Sequence, residues 1–482
     1  MEVARIAALV VYGALLAASI VYGLNNALMV AIHVASRASR QRPPPALPAT
    51  LPRLLVQLPV FNERHVVVRL LDAAAALDWP RDRLEIQLLD DSTDDTSDVA
   101  RPHVERLRAA GVPVEHVRRA TRDGFKAGAL AQGLVLAPDA ELIAIFDADF
   151  VPTPDFLLRA VRWFADERVG VVQGRWTHLN RETSALTRVQ ALAIDGHFGV
   201  EQAARVAVGW FLNFNGSAGI WRRAAILDAG GWSGDTLTED LDLSYRAQLR
   251  GWKIHYDDTL ACPAELPTDL ASWKSQQRRW ATGSMQVAQK LLPAVWRSDR
   301  SLVTKLQATL HLTHYGVHVL IALAALLSVP CVLLPGVASG GHGLWGLVPA
   351  YLVAFAGPTL LHVYSQRVLE RTWVSPRDVG ALSLYGMGIS VSNTVAVAAA
   401  FRRDAGEFVR TPKSGAATVG RYRAPADGLG PWEAAVAVWC AGATFGLLGI
   451  GAVEVAPFLA MDAVAFAAVA WRGYAEMVRE PT

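Results

Sequence analysis

Long apolar runs confine much of this chain to one kind of structure before any motif is considered. Residues 3–32 are apolar with only Arg5 charged, and further runs occupy about 308–335, 344–365, 378–401, 434–452 and 455–471. Each is long enough, or nearly so, to cross a bilayer as a helix. Helices and closed barrels alone satisfy their own backbone in hydrocarbon. Between the first run and the rest lies a charged stretch, so the pattern is that of a membrane protein with one large water-facing domain. A length of 482 residues also requires more than one folding unit.

A composition of 52% hydrophobic and 19% charged residues is too apolar for a wholly soluble enzyme, and a net charge of +2 implies no nucleic-acid partner. Cys262, Cys331 and Cys440 lie far apart and match neither a metal spacing nor a disulfide framework. The basic residues Arg37, Arg40 and Arg42 follow the first run, so residues 1–35 read as an anchor rather than a secretory signal. The positive-inside rule puts the end of that anchor in the cytosol, surrounded before it by membrane lipid. A Pro-rich linker, residues 36–52, leads into the domain.

From Leu54 the hydrophobic period changes. Strands are expected at 54–60, 84–89, 112–118 and 142–146, alternating with helices at 63–77, 94–110 and 126–136. The alternation predicts a doubly wound, mostly parallel α/β sheet over residues 53–284. No G-x-G-x-x-G or P-loop accompanies it, which argues against dinucleotide and NTPase uses. Residues 285–305 mix Leu291, Leu292, Val295 and Trp296 with Lys290, Arg297, Arg300 and Lys305, as an interfacial helix would. Residues 306–482 form the expected C-terminal membrane region, interrupted by a basic loop at 404–424.

The strand ending at Phe146 runs into Asp147-Ala148-Asp149, which places two carboxylates at a carboxyl edge, facing one way with Ala148 turned aside. Two hard oxygen donors suit Mg²⁺ or Mn²⁺ sharing its shell with phosphates, although an isolated pair also reads as turn acids capping the next helix. Two other strand ends carry polar clusters, Pro59-Val60-Phe61-Asn62-Glu63 and Asp90–Thr96, and an acid of the second can accept an N–H from a base edge. Lys126 starts a helix where its charge can meet a diphosphate; taken by itself it reads first as a surface lysine. The Gly-rich loop Asn213–Gly219 lets backbone approach a ligand closely. Thr238-Glu239-Asp240 opens another helix, where acids also complement the dipole. Gln276, Arg279 and Trp280 share one helical face, an indole beside a guanidinium on which a sugar ring can stack. His311, His314 and His318 make a stripe on one membrane helix, open to a metal, an aqueous path or core packing.

The ordered set Asp91, Asp147-Ala148-Asp149, Thr238-Glu239-Asp240 and Gln276-Gln277-Arg278-Arg279-Trp280 resembles the D, D-x-D, T-E-D, Q-x-x-R-W pattern of family 2 glycosyltransferases. In particular it resembles the membrane-embedded cellulose synthases and the cellulose-synthase-like mannan and glucan synthases. Leu58–Glu63, His197–Gln202 and Asn215–Gly219 are similar to the same group. Phe408-Val409-Arg410-Thr411-Pro412-Lys413 looks like their gating loop, with Arg410 where cellulose synthase has Val. The resemblance covers about residues 53–415 and implies a GT-A fold. It implies Pro59, Glu63, Asp91, Lys126, Asp147 and Arg279 for the nucleotide sugar and Asp147 and Asp149 for Mg²⁺ or Mn²⁺. It implies Asp240 as general base, Glu239, Gln276 and Trp280 for the acceptor, and Phe408, Arg410, Thr411 and Lys413 as the gate.

The expected activity is inverting transfer from a nucleotide sugar, of UDP-glucose or GDP-mannose type, to a growing β-linked polysaccharide. Inversion needs one base for the acceptor hydroxyl and an electrophile for the departing diphosphate. The alternatives are a single sugar placed on a membrane lipid, and a transporter or scaffold with a nucleotide-sugar-sensing domain. Run 378–401 is interrupted by Ser390, Ser392, Asn393 and Thr394, and is expected to enter the membrane without crossing. That leaves five spans in the plasma or inner membrane, with catalytic domain, gating loop and C-terminus in the cytosol.

Overall fold

The computed structural model describes residues 2–37, 43–333, 347–369, 374–402, 415, 424–449, 451 and 453–478. Helix α1 (Glu2–Ala35) is followed by β1 (Leu54–Val60), α2 (Val67–Ala75), β2 (Leu84–Asp90), α3 (Thr96–Ala109), β3 (Val114–Arg118), α4 (Phe125–Leu136) and β4 (Leu142–Ile145). Next come α5 (Phe156–Ala160), β5 (Val169–His178), α6 (Ala185–Gly196), a π-helical turn (His197–Glu201), α7 (Gln202–Ala207), β6 (Gly219–Arg222), α8 (Arg223–Asp228), α9 (Glu239–Leu249) and β7 (Lys253–Ala264). The remaining helices are α10 (Leu270–Arg297), α11 (Leu302–Leu312), α12 (Gly316–Leu333), α13 (Leu347–Val368), α14 (Pro376–Gly388), α15 (Ser390–Ala399), α16 (Gly430–Gly449) and α17 (Ala456–Val478).

Seven strands form one sheet in the order β3-β2-β1-β4-β6-β5-β7. β3, β2, β1 and β4 are mutually parallel, as the alternation predicts, while β6 runs antiparallel between β4 and β5. The inner strands β1, β2 and β4 are largely apolar on both faces because helices cover both, while the edge strand β3 is partly exposed. Leu58, Leu70 and Phe156 pack on one side, and Leu55, Leu130 and Trp221 on the other. The chain winds outward from β1 to β3 before returning to β4, so the order reverses between β1 and β4. The crevice at such a switch point is where these sheets take ligands.

The helix expected from Glu63 begins at Val67. Asn62 is left-handed (φ 57°) and ties the loop after β1 to the loop after β2. Its N–H donates to Ser92 Oγ at 2.9 Å and its Oδ1 accepts from the Thr93 N–H at 2.8 Å. Arg64, inside the stretch expected as helix, reaches across the same two loops and donates to Asp95 Oδ2 at 3.1 Å.

The membrane-side elements depart further from the sequence reading. There is no separate interfacial helix at 285–305, because α10 continues unbroken to Arg297. Ala281, Ser284, Ala288, Leu291 and Val295 extend one buried face along it. The chain turns only at Ser298–Ser301, where the Ser301 hydroxyl caps α11 by accepting the Thr304 N–H at 3.2 Å. The 308–335 run is also broken, α11 and α12 meeting at 65° across Thr313–Tyr315. Tyr22 of α1 donates to the Thr313 carbonyl at 3.0 Å, an oxygen that also accepts the Gly316 N–H at 2.8 Å across the break.

That break disperses the histidine stripe. His311 Nδ1 bonds the Tyr245 hydroxyl (2.7 Å), His314 Nδ1 the His311 carbonyl (2.7 Å) and His318 Nδ1 the Ser390 hydroxyl (3.1 Å). Among the described residues no group of three or more His, Cys, Asp or Glu side chains could hold a metal.

Residues Val10–Ala35, α16 and α17 are each long and apolar enough to cross a membrane. α11 with α12, and α14 with α15, qualify only as bent pairs, at 65° and 44°. The second bend falls at Ile389, just before the polar residues that interrupt the 378–401 run. α13, expected as a span, is helical over Leu347–Val368 but is not among the described helices that qualify. It crosses α1 tightly: a Cβ on Gly357 would lie 1.8 Å from the Gly23 carbonyl oxygen, the kind of small-residue crossing that packs helices in lipid.

Candidate active site

The ends of β1, β2 and β4 open into a single cleft of about 1150 Å³, counting its open mouth. Pro59, Glu63, Asp91, Lys126, Asp147, Asp149, Glu239, Asp240, Gln276, Arg279 and Trp280 all line it, so every site residue expected from the sequence within 53–284 meets in one place. Phe408, Arg410, Thr411 and Lys413 lie outside the described residues. Gly415, just beyond them, is described, and its N–H donates to Glu265 Oε1 at 3.0 Å on the cleft wall.

At the β2 end, the Asp91 side chain is 7% exposed and held by Arg119, whose Nε donates to Oδ1 at 2.9 Å while a terminal nitrogen bonds Oδ2. This fork fixes the carboxylate and leaves it lone pairs for a ligand N–H. Beside it the Arg122 guanidinium sits 3.4 Å above the Phe61 ring and 5.1 Å from the Phe125 ring. Neither arginine was singled out from the sequence. Both stand in the loop between β3 and α4, where no hydrophobic period orients a side chain.

At the β4 end Asp147 and Asp149 face the cleft and Ala148 is buried. Lys126 Nζ lies 2.6 Å from Asp147 Oδ1 and 3.6 Å from Glu239 Oε1, and donates to the Gly216 carbonyl at 2.8 Å. Burial pushes the ammonium's pKa down, but Asp147, Glu239 and Asp240 around it more than reverse this, so it is raised. Burial likewise raises the Asp147 carboxyl, with Lys126 opposing. Two carboxylates are a partial shell for a hard divalent cation, of the sort that substrate phosphates complete, and the donor chemistry fits Mg²⁺ or Mn²⁺.

Across the cleft Asp240 stands in the first turn of α9, its Oδ1 accepting the Leu241 N–H at 2.8 Å. Burial and the neighbouring Glu239 push its pKa up to about 7 against the pull of Lys126 and Arg279. A carboxylate so tuned takes a proton far better at neutral pH than an ordinary aspartate. Its closeness to the sheet depends on Gly216 (φ +78°), where a Cβ would lie 2.8 Å from Asp240 Oδ2 and 3.4 Å from Lys126 Nζ. Next to that glycine, Asn215 Oδ1 bonds His197 Nε2 at 3.0 Å, and His197 Nδ1 bonds Glu201 Oε2 at 3.0 Å. Two motifs quoted separately from the sequence therefore form one support, with the π-helical turn at its centre.

Gln276, Arg279 and Trp280 face the cleft from α10. Trp176, His178 and Glu265 also line it and were missed. They sit at or just beyond the ends of β5 and β7, so the strand-end rule that found Asp91 and Asp147 applied to them too. What hid it was that no strand was expected at 169–178 or 253–264, so there was no strand end to read.

Residues 52–283 match the model of a family described as "Glycosyltransferase like family 2". Glucomannan 4-beta-mannosyltransferase 2 of Arabidopsis thaliana is 42% identical over 256 residues, 52% of this chain and 48% of that protein. Glucomannan 4-beta-mannosyltransferase 1 of Oryza sativa subsp. japonica is 40% identical over 261 residues, 53% of this chain and 50% of that protein. The chain thus spans about half the length of the curated relatives it matches. Among solved structures, the mannosyltransferase PcManGT from Pyrobaculum calidifontis in complex with GDP-Man and Mn²⁺ aligns with a TM-score of 0.52 at 20% identity. The alignment covers 80% of this chain and 99% of that one, and the likeness is one of fold.

Proposed function

We propose that residues 52–283, which match the model described as "Glycosyltransferase like family 2", are a family 2 glycosyltransferase domain of GT-A fold, and that the chain is a membrane-seated β-mannan synthase. It would move mannosyl units, with inversion, from a nucleotide sugar to a growing polysaccharide. The observation that carries the reading is Asp240, with a pKa of about 7, in one cleft with Asp147, Asp149, Lys126 and Arg279. Mannose is favoured over glucose by the relatives, which are named as 4-beta-mannosyltransferases of glucomannan. A polysaccharide acceptor is favoured over a lipid for the same reason. A donor of GDP-mannose type follows.

In this mechanism Asp91, held by Arg119, accepts N–H groups of the base while Pro59 and Glu63 wall that end of the cleft. A Mg²⁺ or Mn²⁺ ion bound by Asp147 and Asp149 would supply Lewis-acid stabilisation to the diphosphate. Lys126 leaves its acidic partners for the phosphates, and Arg279 adds a second positive charge where the leaving group develops its own. Gln276, Glu239 and Trp280 orient the acceptor end, and Asp240 removes the proton from its attacking hydroxyl. The catalytic domain and the basic 404–424 segment belong on the cytosolic side, with 378–401 entering the membrane and returning.

The test is a donor screen on detergent-purified protein with Mg²⁺ or Mn²⁺, reading nucleotide release and the product. GDP-mannose should be consumed and yield a polymer cut by an endo-β-mannanase. A single sugar on lipid, or turnover of UDP-glucose alone, would overturn the reading.

A further inference from the structure

We infer that Lys274, on the far side of α10 from the cleft, is a positioning residue whose buried ion pairs hold the acceptor face of that helix in register with the C-terminal helices. Lys274 Nζ lies 2.7 Å from Glu433 Oε1, in the first turn of α16, and 2.8 Å from Asp427 Oδ2. The three side chains are 7%, 1% and 15% exposed, so the charges are largely withdrawn from water. Asp427 also accepts from the Ser392 hydroxyl of α15 at 3.0 Å and lies 3.8 Å from Arg278 of α10. One ammonium thus joins α10 to α16, and through Asp427 to α15.

Cohesion alone does not account for this cluster. Desolvating three ions costs about as much as their attraction returns, and an apolar set of similar volume holds helices together at least as firmly. What two fixed carboxylates add is a unique register, because an ammonium between them permits one rotation and one translation of α10, whereas apolar surfaces slide.

The register matters because α10 is tied at its other side to the catalytic domain. Lys290 Nζ lies 2.8 Å from Asp242 Oδ1, in the same helix turn as Asp240, and 2.8 Å from Asp235 Oδ2. Gly283 lets α10 press on the start of α9, since a Cβ there would lie 2.5 Å from Thr238 Cγ2. Gln276, Arg279 and Trp280 fall between these two lysines. Loosening the Lys274 end therefore displaces Gln276 and Trp280, and Arg279 with them, while the strand-end residues that bind the donor stay where they are; Arg279 meets charge that develops only during transfer, so its displacement lowers kcat rather than donor affinity. The inference rests on the proposed function in one respect, that this face holds the glycan end.

Lys274→Met combined with Glu433→Gln removes the more buried pair and leaves Asp427 the Arg278 guanidinium, 3.8 Å away, as its cation. Donor KM should stay within about twofold, while acceptor KM rises about tenfold and the mean product shortens several-fold, the scale of a small misplacement at a reacting centre. Lys274→Arg, which keeps a cation between the two carboxylates, should retain most of the product length. Donor and acceptor parameters falling together, or products of wild-type length from the Met/Gln protein, would overturn the inference. If that protein is not recovered folded, Asp427→Asn decides: a smaller shortening at unchanged donor KM supports the role, and parallel loss or no loss refutes it. Wild-type protein assayed alongside separates the two readings. Failure of the wild type to elongate overturns the polymer function, whereas elongation there with no donor–acceptor split in the variants overturns only the role of Lys274.

Discussion

Asp91 and Asp147 reach the cleft from the ends of β2 and β4, strands paired on both sides and covered on both faces. Gln276, Arg279 and Trp280 reach it from a single helix whose place is set by lysines at two points, one toward the catalytic domain and one toward the C-terminal helices. The strand-end part of the donor wall is therefore fixed by the sheet, with Lys126 and Arg279 added from helices, and the acceptor wall is fixed by contacts outside the sheet. A strand end is aimed by its ladder, so its residues remain in place if the membrane region shifts. A helix face is aimed by whatever holds the helix, so the acceptor site inherits the position of the membrane-side elements. The two half-reactions, donor activation and chain extension, should accordingly respond to different substitutions.

The largest effect belongs to the donor wall. Asp149→Asn replaces a hard anionic ligand with a poor neutral one and should lower transfer by about 10³ or more. Calorimetric titration should show donor affinity no longer rising with Mn²⁺. Wild-type affinity across the metal series would show that Asp149 does not bind the ion.

Next comes Asp240, which stands between the walls. Asp240→Asn should keep donor binding while transfer falls by about 10²–10⁴, the scale of losing a general base. Because the base must be ionised, wild-type kcat/KM should fall as pH drops through about 7, and the variant should lack that limb. An unchanged pH profile in the variant would move the base elsewhere.

The same contrast decides what could be read from sequence. The donor wall was legible because buried strands announce themselves as apolar runs, and their ends then place acids without further information. Gln276, Arg279 and Trp280 were legible as a shared helical face, but not what orients it. Lys274 sits two residues from Gln276 with partners at 427 and 433, far along the chain. Which of its three readings the histidine stripe takes was illegible for a related reason. A helical period presumes an unbroken helix, and the break at Thr313–Tyr315 is stabilised by Tyr22, on the first helix of the chain. β6 was missed because four residues, Gly219–Arg222, are too few to show a period, and pairing across the sheet decides their direction.

A smaller effect isolates the acceptor wall. Trp280→Ala removes an aromatic platform and should raise acceptor KM about threefold to tenfold. Donor hydrolysis in the absence of acceptor should stay within about twofold, read as nucleotide release. Equal loss of both would mean that Trp280 supports the whole cleft rather than one wall.

The smallest effect is on stability, and it contrasts Asp240 with an acid behind the cleft. Burial and Glu239 raise the folded pKa of Asp240 to about 7 from an ordinary 3.8, so the native state retains a proton that the unfolded chain has released. Stability linked to this group is complete below about pH 4, declines as pH rises through 7, and stays lost above it. Asp240→Asn should therefore raise Tm by a few degrees at pH 8, with the gain shrinking toward zero near pH 4. Asp195 is the opposite case. Burial would raise its pKa, but His178, Arg181 at 2.5 Å and Gln366 at 2.9 Å bring it below the usual carboxylate range. Its contribution is present above the unfolded pKa and lost as pH falls through the folded one, so Asp195→Asn should lower Tm at neutral pH and less so in acid. Paired melting curves of the two variants between pH 4 and 8 check this directly. Opposite slopes mark a group strained for chemistry against one satisfied for structure, and slopes of the same sign would remove Asp240 from the first class.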